Sequence, residues 1–467
     1  MTDLLVRGGT VVTASGSRSA DIAVDGGRIT GIDTDLGGLA ANARRIVHAG
    51  GLLVLPGIVD VHTHTRVASD QQPDRFFRDS VAAAFGGTTT FLAFNNPGTG
   101  SSPAAERSLL VGLREWRAAT ESDSAVDYAV SLAISGHMDD PIAELPAMVD
   151  AGVSTAKAFM VFDFRLDDVR LFEAMGVLGR RGGMLQIHCE DPVLIDAAVG
   201  ATLIRGDTGP HFHASSRPAY AEGVATARAM AFARAADAPV HVVHLSSADA
   251  LRHVREARAI GLSVSAETCP HYLALTDSSY EVGDALEVAK VLISPPLRAA
   301  EDQDALWDGL TRGDLSMIAT DHVPDRADLE KAEAANGASF DRISNGAPGI
   351  ETLLAITYGL GVAKGRLSIE RLVDVLATTP ARRFGLQHKG AIEVGRDADL
   401  VLLDPAARRT LRATDLHHTS DYTPYEGLEI EGAVRSVFVR GRAVVSDGAF
   451  VGERGYGRFV EREAAGG

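Results

Sequence analysis

The residues of this chain with the clearest capacity for chemistry stand at the ends of apolar runs. His62 and His64 flank Thr63 where the run Leu55-Pro56-Gly57-Ile58-Val59-Asp60-Val61 closes. On an extended strand, residues two apart leave the same face, so both imidazoles can grip one ion. Further along, His188 closes Leu185-Gln186-Ile187, His244 closes Val242-Val243, and Asp321 closes Ile318-Ala319-Thr320. Neutral imidazoles and carboxylates suit Zn²⁺ first, and Mn²⁺, Co²⁺ or Fe²⁺ as well. Lys157 sits inside the apolar run Val153-Ser154-Thr155-Ala156-Lys157-Ala158-Phe159-Met160. A buried ammonium must be paired, deprotonated or modified. It has donors and no acceptor, so it cannot bind metal as it stands. Addition of CO₂ would turn it into a carbamate with an oxygen for each of two ions; pairing with a neighbouring acid is the alternative. A single histidine at such a position is usually a satisfied core residue. Six candidates arriving in order read as a two-metal hydrolase, with Asp321 also able to move protons.

Elements able to gather these residues are legible in the rhythm of the chain. Leu4 to Val12 and Asp21 to Ile32 alternate as antiparallel strands do, with Gly26-Gly27 as a turn. After Pro56-Gly57, short apolar runs alternate with helical patterns, the signature of βα units and a parallel sheet. Eight runs can be counted: residues 53–64, 88–95, 125–135, 153–160, 184–190, 239–246, 263–270 and 316–322, with helices such as 168–181 and 217–236 between them. Eight alternations in roughly 270 residues fit a (β/α)₈ barrel, for which ~250 is typical. The C-terminal ends of barrel strands converge on one face, and the six candidates fall there. Past Arg383, strands and tight turns return in 390–403 and 432–445, punctuated by Gly395 and Gly441. The expected fold is α/β: residues 1–55 as the N-terminal part of a composite β-sandwich, 56–383 as a TIM-like metal-dependent hydrolase barrel, and 384–467 as the rest of the sandwich and a tail.

Composition narrows the partners. A formal charge of -17 speaks against nucleic acid and anionic membranes, which need clustered Lys and Arg. Hydrophobic residues at 45% and charged residues at 23% are globular values. Every apolar run is interrupted before the ~18 residues of a membrane span, and the first residues lack a basic start and an apolar stretch. Cys189 and Cys269 form neither a disulfide framework nor a close ligand pair, so a reducing cytoplasm is the expected location.

With these residues in place, the chain resembles the cyclic amidohydrolases of the amidohydrolase superfamily: hydantoinases, dihydropyrimidinases, allantoinases and dihydroorotases. The likeness runs from Pro56-Gly57-Ile58-Val59-Asp60-Val61-His62-Thr63-His64 to Gly395-Arg396-Asp397-Ala398-Asp399-Leu400. It implies a carboxylated Lys157 bridging two divalent ions, zinc foremost, with His62, His64, His188, His244 and Asp321 as the other ligands. The implied reaction is attack of a metal-bridging hydroxide on the amide carbonyl of a small cyclic substrate, Asp321 passing the proton to the departing nitrogen. A homodimer or homotetramer is implied as well.

The subfamily motifs disagree. Ser294-Pro295-Pro296-Leu297-Arg298, Asn345-Gly346-Ala347-Pro348-Gly349-Ile350-Glu351 and Asp421-Tyr422-Thr423-Pro424-Tyr425-Glu426-Gly427 are most similar to hydantoinases and dihydropyrimidinases. In that group the serine and asparagine loops hold the ring amide, so Ser294 and Asn345 inherit substrate contact. A tyrosine that these enzymes place five residues after the bridging lysine, where it supports the oxyanion, is Phe162 here. Either another group takes over or the substrate differs. Arg66 is similar to dihydroorotases, where an arginine at this place and an asparagine near the second strand, Asn96 here, hold a substrate carboxylate. Against this, the histidine that dihydroorotases carry after Asp-His-Ala-Pro is Asp325, which would repel an anion. Thr268-Cys269-Pro270-His271-Tyr272 is closer to allantoinases. The leading expectation is therefore ring opening of a hydantoin or dihydropyrimidine, with an allantoinase or dihydroorotase as the alternative. A non-catalytic dihydropyrimidinase-related interaction protein fits less well, because all six ligands are present, and a single-metal deaminase would need no bridging lysine.

Overall fold

The computed structural model describes residues 2–95 and 102–463. Eight strands lie side by side in sequence order: Ile58–Thr63, Thr88–Asn95, Asp127–Ala133, Thr155–Phe159, Met184–His188, Val240–Val242, Val264–Thr268 and Met317–Ile318. All seven ladders between them are parallel. A bridge between Thr63 and His322, with the His64 N–H donating to the His322 carbonyl at 2.7 Å, brings the last strand back to the first. The sheet closes as a (β/α)₈ barrel. Every residue of these strands except Asn95 is buried, because helices cover the outside and side chains fill the inside.

The strands are shorter than the apolar runs suggested, and the difference matters at the site. The sixth strand stops at Val242 and the eighth at Ile318. His244 and Asp321 follow in the left-handed region, at φ 35° and 49°. Non-glycine residues rarely adopt that conformation, and strained backbone of this kind gathers at functional sites.

The run 53–64 also divides. Leu53–Pro56 pairs with Thr2–Thr13 and Leu400–Thr410 in a second sheet, and the barrel strand begins only at Ile58. Gly57 is the crossing point: a Cβ there would lie 2.0 Å from Thr89 Oγ1 and 2.8 Å from the Asp399 Cβ. Its N–H donates to the Asp399 carbonyl at 2.9 Å, so the two sheets meet backbone to backbone.

The second sheet is built from both chain ends. Its path runs Ala449–Phe450, Arg442–Ser446, Glu429–Val439, Leu400–Thr410, Leu53–Pro56, Thr2–Thr13, Gly16–Asp25 and Arg28–Asp33, with Ala43–His48 branching from Thr2–Thr13. Mostly antiparallel, it includes parallel pairs of Thr2–Thr13 with Ala43–His48 and with Leu53–Pro56, which the alternation alone did not distinguish. The sheet folds over, so that Gly27 meets Arg440 and Gly441 meets Val24 around a core including Val6, Ile22, Val54, Leu402 and Phe438. Residues 390–399, read as strand, are instead mostly turn, bridged to the strand Arg28–Asp33: Gly395 N–H donates to the Ile29 carbonyl at 2.8 Å. Helices follow the sequence closely. One spans Asp168–Arg180, capped by the Asp167 side chain. Another spans Ala219–Ala236 rather than starting at Arg217, because the residue before Pro218 avoids helical backbone.

Candidate metal centre

Six side chains from five barrel strand ends converge above the barrel. His62 Nε2 lies 2.9 Å from Lys157 Nζ, 2.9 Å from Asp321 Oδ1 and 3.3 Å from His64 Nε2. His64 Nε2 is 3.1 Å from the same Asp321 oxygen, and His188 Nδ1 is 2.9 Å from His244 Nε2. Ligand atoms of His62, His244 and Asp321 all lie within 4.8 Å of one another. Ring nitrogens facing each other this closely repel unless a proton or a cation lies between them. The donor set therefore fits divalent cations chemically, as well as by position.

The far nitrogens of His62 and His188 are fixed by acids that the sequence reading did not single out. Glu267 accepts from His62 Nδ1 with one oxygen and faces His241 Nε2 at 2.9 Å with the other. Glu190 Oε2 takes His188 Nε2 at 2.8 Å and Arg217 NH1 at 2.6 Å. Asp60 accepts from the Thr320 N–H at 3.1 Å, which secures the backbone just before Asp321. Carboxylates on the outer nitrogen turn the inner nitrogen towards a metal. Each of these acids stands within an apolar strand or two residues past a ligand, so the signal was available as a charge in a buried run. What no spacing reveals is which ring nitrogen each acid meets.

Burial sets the protonation states. It brings His64 down to about 4 and holds His188 and His244 below their ordinary value, so these rings are neutral near pH 7, the form able to bind a cation. His62 is raised: burial and Lys157 oppose its charge, but Asp321 and Glu267 outweigh them. Burial likewise opposes ionisation of Asp321, yet the charge and hydrogen bond of His62, with help from His64, hold it well below the usual carboxylate range. Burial lowers Lys157 to about 8. Among the described residues no carboxylate pairs with its Nζ, which rests 4.3 Å from the Phe94 ring centroid and 4.9 Å from that of Phe159.

A cavity of about 470 Å³ opens onto this cluster, within the range for small-molecule sites. Phe94, Phe159, Phe162 and Phe164 form an apolar wall. Phe162, at φ 75°, stacks on Phe164 and lies 5.3 Å from the His188 ring, with the Arg217 guanidinium 5.2 Å from its centroid. Across the cavity, Ser294 Oγ donates to Asn345 Oδ1 at 3.0 Å. Arg66 also lines the cavity, but its guanidinium donates to Asp325 at 2.6 Å and Glu330 at 2.9 Å. Asn96 lies outside the described residues. The third motif is explained by contact: Asp421 accepts from the Ala327 N–H at 2.6 Å, and the Tyr422 hydroxyl donates to the Gly346 carbonyl at 3.4 Å.

The sequence profile of the amidohydrolase family matches residues 53–444. The chain is 37% identical to a D-hydantoinase of Ralstonia pickettii over 466 residues, covering 98% of this chain and 99% of the relative. A D-hydantoinase of Geobacillus stearothermophilus is 36% identical, with 98% and 96% covered. Among solved structures, a dihydropyrimidinase from Brevibacillus agri superposes with a TM-score of 0.93 at 38% identity, covering both chains completely. An L-hydantoinase from Arthrobacter aurescens does so with a TM-score of 0.89 at 29% identity, over 99% of this chain and 100% of that one.

Proposed function

The chain belongs to the amidohydrolase family and is a cyclic amidohydrolase, and on that premise we propose that it opens hydantoin or dihydropyrimidine rings using two zinc ions held by His62, His64, His188, His244, Asp321 and a carboxylated Lys157. The observation that carries this reading is Lys157 itself: fully buried, without an acid partner among the described residues, and in contact with an imidazole of a converging donor set. A lysine brought down to about 8 exposes a neutral amine near physiological pH, the form that adds CO₂ and releases a proton. Divalent ions at these donors supply Lewis acidity and bring a water's pKa towards ~7.

The chain's own groups do the rest. Asp321, kept ionised by its histidine neighbours, accepts a proton from the attacking water and returns it to the departing ring nitrogen. Ser294 and Asn345 hold the ring amide from the far wall. Phe162 donates no hydrogen bond, so it contributes shape and exclusion of water rather than charge stabilisation. A panel of hydantoin, dihydrouracil, allantoin and dihydroorotate tests the assignment: turnover of the first two supports it, and turnover of dihydroorotate alone overturns it.

The same reading takes the molecule as a homodimer or homotetramer in the cytoplasm. Supporting the first, helix Pro192–Ile204 carries Asp196 as its one charged residue and buries only Ile195 and Thr202, leaving Val193 73% and Ile204 88% exposed. Apolar faces of this kind mark interfaces. Both cysteines are free and buried, as suits a reducing compartment. Among the described residues no helix is long and apolar enough to cross a membrane. Val193→Asp with Ile204→Glu is expected to yield monomers by light scattering; an unchanged assembly would move the interface elsewhere.

A further inference from the structure

The residues around Arg66 form a closed, charge-balanced network. Asp325 is completely buried, and one of its oxygens accepts from Arg66 NH2 at 2.6 Å. The other accepts from Ser344 Oγ at 2.6 Å and faces Lys331 Nζ at 3.7 Å. Lys331, also completely buried, donates to the Ser344 carbonyl and, at 3.5 Å, to the Leu292 carbonyl. The Leu292 carbonyl further accepts from the Gly346 N–H at 2.8 Å. Arg66 NH1 is taken by Glu330 at 2.9 Å, and the second Glu330 oxygen accepts from the Arg326 N–H.

These contacts have a direction. Leu292 lies two residues before Ser294, Ser344 lies one before Asn345, and Arg66 lies two after the ligand His64. We infer that Asp325, with Arg66 and Lys331, is a positioning device that fixes the Ser294 and Asn345 loops against the end of the first barrel strand. The inference rests on the ring-opening function proposed above and narrows its substrate. Two buried or part-buried cations face two anions, so Arg66 presents no free charge and the cavity selects uncharged rings over carboxylated ones. Removal of the Asp325 charge releases Lys331 and Ser344 together, and both substrate loops lose their common anchor.

Hydrogen exchange and kinetics on the metal-loaded enzyme test this. In Asp325→Asn, amides in 290–298 and 340–348 are expected to exchange faster while those in 58–64 and 184–190 do not change, with two ions retained per chain. KM should rise by about tenfold with kcat nearly preserved, the signature of binding lost equally from ground and transition states when the substrate loops loosen. Ser344→Ala, which deletes one hydroxyl at a partly buried site, should loosen the same two segments, and it carries the test if Asp325→Asn does not fold. Arg66→Met should raise KM alike for every ring. Unchanged exchange in both segments overturns the proposal, as does an Arg66→Met defect confined to carboxylated rings. If wild type opens no ring, the proposed function fails, and the exchange result still decides the positioning role.

Discussion

Glu190 and Glu267 show how much of the candidate centre depends on residues behind the candidate ligands. Burial opposes their charge, but Arg217 with His188 in the first case, and His62 with His241 in the second, bring each from an ordinary 4.5 to about 2. Between those values the unfolded chain holds protons that the folded chain does not, so both carboxylates contribute stability above pH ~4.5 that is lost as pH falls towards ~2. Urea midpoints measured from pH 6 to pH 3 should therefore fall steeply. Glu190→Gln should flatten part of that acid limb, while an unaltered slope would place the lost stability elsewhere. Phe162→Tyr is expected to restore a hydrogen-bond donor beside His188 and to raise kcat on hydantoin; a drop would mean that the dry phenyl wall is what the substrate needs. The six candidate ligands stood out in the sequence because five are polar at the close of an apolar run and Lys157 is a charge inside one. Their supporting acids carried the same mark, but their roles depend on ring orientation, which their own contacts and the packing of Phe94 and Phe159 against the imidazoles set together.

Strand length is the element-scale lesson. Apolar runs predicted eight barrel strands correctly in order and position, yet 239–246 and 316–322 kept their strand geometry only over Val240–Val242 and Met317–Ile318. The remainder bends through His244 and Asp321, where left-handed backbone turns two candidate ligands toward the cavity. Hydropathy does not encode that bend, although histidine and aspartate are among the non-glycine residues that adopt it most often. Likewise, the run 53–64 gave no sign that it serves two sheets, because both halves open on apolar residues; the glycine between them was the available clue. Gly57→Ala should place its methyl into Thr89 and Asp399 and destabilise the fold by about 1–3 kcal/mol, as overpacking does. A calorimetric scan with an unchanged transition would show that the crossing is looser than the 2.0 Å approach requires.

At the scale of the whole molecule, one buried lysine joins barrel and sandwich. Lys389 Nζ lies 2.5 Å from Asp127 at the start of the third barrel strand, and 3.0 and 2.8 Å from Asp397 and Asp399 before the sandwich strand Leu400–Thr410. Arg440 pairs with Asp127 from the opposite side, so this acidic cluster is neutralised by cationic side chains rather than poised for a metal. Lys389→Met should cost about 3–5 kcal/mol by stranding buried carboxylates, without changing the metal content of the folded enzyme. Coupling of this kind, between residues far apart in sequence, is what a one-dimensional reading could not supply. The central claim, that Lys157 completes a two-metal centre for ring opening, is tested most directly by counting bound metal and following hydantoin and dihydrouracil hydrolysis together. Both are measured for wild type and Lys157→Ala, with bicarbonate and with a short carboxylic acid. The account predicts two ions and turnover in wild type, loss of both in the variant, and partial recovery with the acid; a variant that keeps its metals and full activity contradicts it.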